Sequence, residues 1–496
     1  MRKLRWLVVL TALGLVATAC GRDDDDDTAS PTTQAAATTA AAAPTTAAGG
    51  QTATSAATAT TAAATTTTAK DPCAGVTLQA TEIGVTEKDI TITVMADTGS
   101  ALAPGLFQGS IDAVKGWADQ INANGGLACR QVKVETADSK IDPNETTNGF
   151  LKGCAGSLAM VGTNALFALD VKDLESCADK AGAATGIPDF SALSVAPAQA
   201  CSKNSFVIQI GGGSCPYSGQ GPRDYQAGTG VYAFKWVLDN VLKAPAHGVG
   251  LMAPDIPSTK ESSYASFTQA MQATNSTVDG VFGPSGRDDQ STYAPYVLRM
   301  KDKGSNFAYP NSNDQTMIKL RNEALVQGFD PTKAVWYCSV SCYTDAFKQQ
   351  GDTVKDTYVG LNFLPFEEAD SNPELANYLK AVDNKGAGFG ADSWGAAVLF
   401  KQVVDQIVQT DGPNAITRQK LLDTLATVKD FDANGMFGSI DIGDRIPSKC
   451  FVVLKWDGKD FVRVYPTQKG TFDCNQPTAA DLKGFDAIAE YTKAVG

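Results

Sequence analysis

From residue 89 onward the apolar residues follow two alternating rhythms. Ile90-Thr91-Ile92-Thr93-Val94-Met95 is a continuous apolar and β-branched run, which predicts a strand covered on both faces. Ile111, Val114, Trp117, Ala118 and Ile121 then recur at helical spacing within 109–122, and Asn124-Gly125-Gly126 supplies the glycine end of that helix. The alternation continues with a strand at Val132 to Glu135, a helix over 144–153, a strand at Leu158 to Val161 and a helix over 170–180. Ile187 to Ala192 and Phe206 to Ile210 add two strands. After Gly211-Gly212-Gly213, which reads as a hinge, a second series begins with a helix over 229–242. Strands are predicted from His247, at 278–282, 306–309, 334–337 and 358–362, with helices over 264–274, 293–303 and 315–328 between them. Two further helices, 392–410 and 418–428, precede a hairpin of 451–456 and 461–464 turning at Asp457-Gly458. This order predicts an α/β protein with parallel central sheets in two similar halves.

The first 72 residues follow neither rhythm. Met1-Arg2-Lys3-Leu4-Arg5 is basic, Trp6 to Val16 is apolar, and Ala17-Thr18-Ala19-Cys20 is small. These are the three parts of an export signal, and the apolar stretch is too short to span a bilayer. The last four residues resemble a bacterial lipobox, although Ala17 stands where Leu is usual. The resemblance implies a signal peptide at 1–19, lipidation of Cys20, and anchoring to the outer face of the cytoplasmic membrane. Residues 20–72 form an expected tether. It contains five consecutive acids, Asp23 to Asp27, then an Ala/Thr-rich stretch with no aromatic residue. Such a segment cannot bury enough surface to offset its ordering entropy. Its Thr and Pro content also makes it a candidate for O-glycosylation.

Export changes the meaning of the cysteines. Apart from Cys20 there are ten, an even number expected to form disulfides outside the cytoplasm. Sequence alone allows about 945 pairings. We expect neighbours to pair: Cys73-Cys129, Cys154-Cys177, Cys201-Cys215, Cys338-Cys342 and Cys450-Cys474. No CxxC pair occurs, so neither zinc nor another metal is expected. The net charge of −13 disfavours nucleic acid as a partner. His247 is the only histidine and is expected to be structural. The sequence has no Gly-x-Ser-x-Gly elbow, P-loop or GxGxxG turn, so no catalytic residue and no cofactor is assigned. Glu367-Glu368 and Asp288-Asp289 read as solvated surface, and Trp236 and Trp394 as core.

Several segments together resemble the solute-binding proteins of bacterial ABC importers, of the branched-chain amino-acid-binding type. They are Asp97-Thr98-Gly99-Ser100-Ala101-Leu102-Ala103-Pro104-Gly105, Ile121 to Leu127, Met160-Val161-Gly162-Thr163-Asn164 and Gly186-Ile187-Pro188, within about 88–465. The resemblance implies two Rossmann-like lobes joined by a three-crossover hinge, the periplasmic binding protein-like I fold. One lobe would comprise 73–215 plus about 366–446, the other 216–365 plus about 447–496. A small molecule would bind between them, at the carboxyl ends of parallel strands. A permease would be the protein partner, and the binding protein itself is expected to be a monomer.

Carried over residue by residue, the resemblance places Ser100, Leu102 and Phe107 on the wall after the first strand. Thr163, Asn164 and Ala165 fall in the loop after the third strand, and Ser191 and Ser194 after the fourth. In the second lobe Tyr309 would be an aromatic cover, followed by Asn311 and Ser312. Trp336 is expected to stack on ligand, with Ser339 beside it. The amino-acid binders have a carboxylate for the ligand ammonium after that strand, where this chain has Cys338-Ser339-Val340-Ser341-Cys342. A buried ammonium without a carboxylate is strongly disfavoured, so the expected ligand is not a simple aliphatic α-amino acid. Two rival readings stand beside this one: a ligand-sensing receptor domain of the same fold, and a secreted hydrolase that would depend on His247.

Overall fold

The computed structural model describes residues 73–495, apart from Leu102, Gly212, Gly213, Ser218, Gln220, Pro254, Gly286 and 476–480. The expected signal peptide, Cys20 and tether lie outside the described residues, as does Leu102.

The first rhythm builds a five-stranded parallel sheet. Its strands are β1 (Asp89–Ala96), β2 (Gln131–Asp138), β3 (Ala159–Asn164), β4 (Asp189–Ser194) and β5 (Ser205–Ile210), in the order β2-β1-β3-β4-β5. Ile90, Ile92 and Val94 pack under α1 (Gln108–Ala123), while Met95 and Met160 meet Phe150 of α2 (Pro143–Gly156) on the other face. Asp142 caps α2, accepting from Asn144 N at 2.8 Å and Glu145 N at 3.0 Å, with Pro143 at the first helical position. Gly162 has φ +77°, and a Cβ there would stand 2.6 Å from Val114 Cγ2; glycine permits both the backbone and the close approach of α1. The expected helix over 170–180 shrinks to α3 (Lys172–Ser176). Cys177 leaves helical geometry to bond Cys154, and Asp179 draws Ala181 N, Ala183 N and Thr185 Oγ1 into a turn. A short α4 (Pro197–Ala200) joins β4 to β5.

The second rhythm builds a seven-stranded sheet. It contains β7 (His247–Met252), β8 (Thr277–Phe282), β9 (Phe307–Asn311), β10 (Val335–Cys338) and β11 (Thr357–Leu361), all parallel. The expected hairpin, β12 (Val452–Trp456) and β13 (Phe461–Tyr465), extends it antiparallel, giving the order β13-β12-β11-β10-β9-β7-β8. On one face lie α5 (Thr229–Val241) and α6 (Pro257–Ala273), over an aromatic cluster of Phe234, Phe267, Tyr309 and Tyr337. On the other lie α7 (Ala294–Lys303) and α8 (Asp314–Val326), over Met300, Met317, Leu320 and Trp336. A single turn, α9 (Asp345–Lys348), follows β10. Helix α6 starts seven residues before its expected start at Tyr264, because Ser258, Ser262 and Ser263 are buried and hide the helical stripe.

The chain then returns. Helices α10 (Pro373–Ala381), α11 (Gly388–Asp411) and α12 (Arg418–Leu425) follow β11, and α11 packs on β3, β4 and α1 of the first sheet. The chain therefore crosses three times between the sheets, after β5, after β11 and before β12. Finally β14 (Leu482–Phe485) pairs antiparallel with β6 (Arg223–Tyr225), and α13 (Ala487–Ala494) lies on α6. The pattern did not foresee α10, whose start is marked by Asn372 accepting from Leu375 N, or the β6–β14 pair.

Disulfides join Cys73–Cys129, Cys154–Cys177, Cys201–Cys215, Cys338–Cys342 and Cys450–Cys474. Glu368 corrects one expectation. It is buried, not solvated, and its carboxylate pairs with Arg463 of β13 through Nε at 2.5 Å and Nη2 at 2.6 Å.

Candidate functional site

The carboxyl ends of the two sheets approach each other. Ser258 Oγ, at the start of α6, donates to Leu166 O in the loop after β3 at 2.8 Å. The loop after β10 lies on the first turn of α11, where a Cβ on Gly388 would be 2.6 Å from Val340 Cγ2. Phe107 stands edge-on to Phe389 of the same turn, with ring centres 4.9 Å apart. The seam thus runs along strand ends contributed by both sheets.

One carboxylate organises the first side of this seam. Asp97 follows β1 directly, and its Oδ1 accepts from Ser139 Oγ at 2.7 Å and Ile141 N at 2.6 Å, while Oδ2 accepts from Leu166 N at 2.8 Å. It therefore holds the loops after β2 and β3 to its own. Burial pushes its pKa up against the lowering effect of these bonds. Asp138 beside it goes the other way. Burial raises it, but the N–H groups of Gly99, Thr98 and Lys140 outweigh that and hold it below the usual carboxylate value. Ser100 is buried next to this pair, on the edge of an open depression of about 490 Å³ that reaches Lys140, Asp142 and Asn148.

The other expected residues divide. Thr163, Asn164 and Ala165 are buried; Asn164 Nδ2 donates to Ser110 Oγ at 3.3 Å, and its Oδ1 has no partner among the described residues. Ser191 Oγ is turned to the carbonyls of Thr163 and Leu193, both at 3.2 Å, and Ser194 Oγ donates to Ala196 O at 3.1 Å. Both serines are fully buried, so their hydroxyls brace backbone. Asn311 and Ser312 are half-buried at the end of β9, next to Asn313, which caps α8 through Thr316 N. Ser339 is half-buried and its Oγ lies 3.0 Å from Ser341 Oγ, inside the loop closed by Cys338–Cys342.

Two expectations are corrected. Tyr309 stacks on Phe234 with ring centres 4.5 Å apart, and burial drives its pKa well up. Trp336 is 1% exposed; its Nε1 donates to Pro331 O at 2.9 Å and the Arg321 guanidinium lies 4.6 Å from its ring centre. Both are core side chains, because each stands in a strand flanked by other strands and covered by helices. His247 sits at the amino end of β7, the far end from the seam, with Nδ1 2.9 Å from Asp279 Oδ2. Sequence reasoning missed Asp97 as an organiser, and also Ser258 and Phe389. Asp97 entered only as the first residue of the loop after the first strand, and the other two face the seam only because distant segments meet there.

Two sheets with parallel central strands, three crossings and a seam of strand ends define a two-lobed binding protein of the type I periplasmic kind. A family model for periplasmic binding proteins matches residues 89–460, well over half of the chain, and the chain belongs to that family. It is a solute-binding protein, and its family is one of binding proteins and not of enzymes. Among solved structures, an ABC transporter substrate-binding protein from Aeropyrum pernix is similar with a TM-score of 0.61 at 12% identity, over 82% of this chain and 100% of that one. The fatty acid ABC transporter substrate-binding protein from Thermomonospora curvata has a TM-score of 0.59 at 16% identity, covering 80% and 99%. The branched-chain amino acid binding protein LivJ from Streptococcus pneumoniae, in complex with isoleucine, has a TM-score of 0.55 at 15% identity, covering 76% and 100%. At these identities the likeness is one of fold. No curated protein matches the sequence. Among the described residues, no helix is long and apolar enough to cross a membrane, and no group of His, Cys, Asp and Glu is placed to hold a metal ion.

Proposed function

We propose that this protein captures a small molecule in the seam between its lobes and delivers it to an ABC importer, tethered outside the cytoplasmic membrane by a lipid on Cys20. The observation that carries this reading is the meeting of strand carboxyl ends from two separate sheets, bridged by three chain crossings. Ligand contacts with both sides favour the closed arrangement, which is the form a permease would read. We place the lobes at 73–215 plus about 366–446 and at 216–365 plus about 447–496, acting as a monomer. The short segment 366–371 is the exception to a clean division, since Glu368 pairs with Arg463 of the second sheet.

Of the expected contacts, the reading retains Ser100, Phe107, Asn311, Ser312 and Ser339 as candidates and adds Ser258 and Phe389 to them. The ligand on this reading lacks the α-ammonium of an amino acid, because the loop after β10 presents Ser339 within a disulfide ring and no carboxylate. Thermal shift and calorimetry against amino acids, amides, sugars and aromatic or aliphatic acids test it. A non-amino-acid that raises the melting temperature and contracts the protein in small-angle scattering supports the reading. Tight binding of leucine, isoleucine or valine overturns the exclusion. Failure of every class to bind or contract the chain overturns the capture function. Globomycin-sensitive processing and labelling with a palmitate analogue test Cys20.

A further inference from the structure

Asp392 stands near the start of α11 and is completely buried. Its Oδ1 accepts from Asn362 Nδ2 at 2.9 Å, and its Oδ2 has no hydrogen-bond partner among the described residues. Asn362 follows β11 directly, at the point where the chain leaves the second sheet for the first. The peptide beyond it pairs with the segment that leads to the third crossing. Leu364 N donates to Met436 O at 2.9 Å, Phe363 bridges to Phe437, and Gly438 N donates to Asn362 O at 3.4 Å. Both segments rest on α11: a Cβ on Gly395 would meet Phe437 at 2.9 Å, and one on Gly388 would meet Phe363 at 3.7 Å. A single carboxyl therefore lies beneath a crossing peptide, joined to it by one hydrogen bond and half unsatisfied.

Among the described residues, no cation pairs with this carboxyl. Burial raises the Asp392 carboxyl to about 8, and the Asn362 bond pulls the other way. On α10, Tyr378 feels the charges of Asp392 and of Asp112 on α1, and its hydroxyl is held by Ala387. Glu374 is held by Trp394 Nε1 and Asn434 Nδ2. Asp189 on β4, the strand against which α11 packs, is committed to Gln199 and Ser205. The neutral acid can stay under the crossing peptide, whereas an ionised one must draw water to Oδ2.

We propose that Asp392 is a proton-operated latch on the second crossing: protonated, it lets the Asn362 peptide lie flat on α11, and ionised, it loosens that peptide and favours the open arrangement of the lobes. This rests on the two-lobed reading above. The test is amide hydrogen exchange by mass spectrometry on the whole protein, wild type against Asp392→Asn, compared at the same pH so that intrinsic exchange cancels. At pH 6 the peptides covering 361–366 and 436–440 exchange equally in the two proteins. At pH 9 they exchange up to about tenfold faster in wild type, following the fraction ionised. Equal exchange at both values, or a difference that ignores pH, overturns the latch. Should Asp392→Asn fail to fold, infrared difference spectra of wild type decide instead. A buried protonated carboxyl band lost between pH 6 and 9 supports the latch, and its absence at pH 6 overturns it. Small-angle scattering on the same samples separates the two claims. Exchange that changes with pH while the radius of gyration stays constant overturns the coupling to lobe opening. A protein that contracts with ligand but shows no pH-dependent exchange overturns the latch alone.

Discussion

The two sheets build their strand-end loops from different materials. On the first, a buried carboxylate does the organising: Asp97 gathers donors from Ser139, Ile141 and Leu166, and so fixes three loops at once. On the second, the loop after β10 is closed covalently by Cys338–Cys342, and the strand-end loops are joined by single side-chain pairs such as Ser285 Oγ to Asp255 and Thr344 Oγ1 to Asp314. The cores differ as well. Both cores hold aromatic rings, but in the first they meet edge-on, as Trp117 and Phe190 do with Phe400, whereas one face of the second carries a stack of Phe234, Tyr309 and Phe267 beside Tyr337. A charged hub is rigid only while every donor is matched, whereas a small covalent ring is rigid locally and influences little beyond itself.

That contrast can be broken most directly at its hub. Asp97→Ala leaves two backbone N–H groups and a hydroxyl buried without acceptors, and is expected to cost about 3–5 kcal/mol in urea unfolding. It should also abolish ligand-induced stabilisation, and a loss below about 1 kcal/mol would remove Asp97 from its place as organiser. On the second side, Trp336→Ala empties a fully buried site and should cost about 3–4 kcal/mol. Its conservative partner, Trp336→Phe, should leave ligand affinity unchanged by calorimetry; a tenfold loss of affinity would return Trp336 to the binding surface. Replacing both Cys338 and Cys342 with Ser opens a ring of small sequence separation, with an expected cost of about 2 kcal/mol. The same change at Cys73 and Cys129, whose separation is 56, should cost about 4 kcal/mol, and equal effects would mean that the short ring acts by more than chain entropy. The smallest change is His247→Asn, expected to lower stability by less than about 1 kcal/mol and to leave binding intact, since the half-exposed pair with Asp279 is far from the seam.

The buried acids add a pH dimension to the comparison. The folded-state pKa of Asp392 is raised to about 8, so its contribution is fully present below the unfolded value and is lost as pH rises towards 8. Asp392→Asn should therefore flatten the fall in stability between about pH 4 and 8, measured by chemical unfolding across that range. A variant that keeps the wild-type slope would assign the fall to another group, with Asp97 and Asp189 the next to examine, both raised by burial.

Much of the architecture was legible because it is periodic. Strands buried on both faces leave unbroken runs such as Ile90 to Met95, and amphipathic helices leave stripes such as Ile111, Val114, Trp117 and Ala118. Where burial was polar or the element short, the pattern failed. The serines of α6 disguised its first two turns, and the three-residue β6 carries too little periodicity to be seen. The site was legible only as a set of loops. Ser100, Asn311, Ser312 and Ser339 lie at strand ends, as their positions after strands implied. Tyr309 and Trp336 fell on the wrong side because which way a side chain in a doubly covered strand points depends on register, and aromatic character alone does not reveal it.

By itself, then, the chain determined its element types, its class of fold and an even set of cysteines, since each follows from local spacing and composition. Tertiary structure alone decided which acids became buried hubs and which stayed in water. Asp97, Glu368 and Asp392 look like any other acid in the sequence; their roles come from burial and from partners 30 to 95 residues away, namely Leu166, Arg463 and Asn362. Electrostatic character depends on the surroundings that folding assembles, and those surroundings are long-range in sequence.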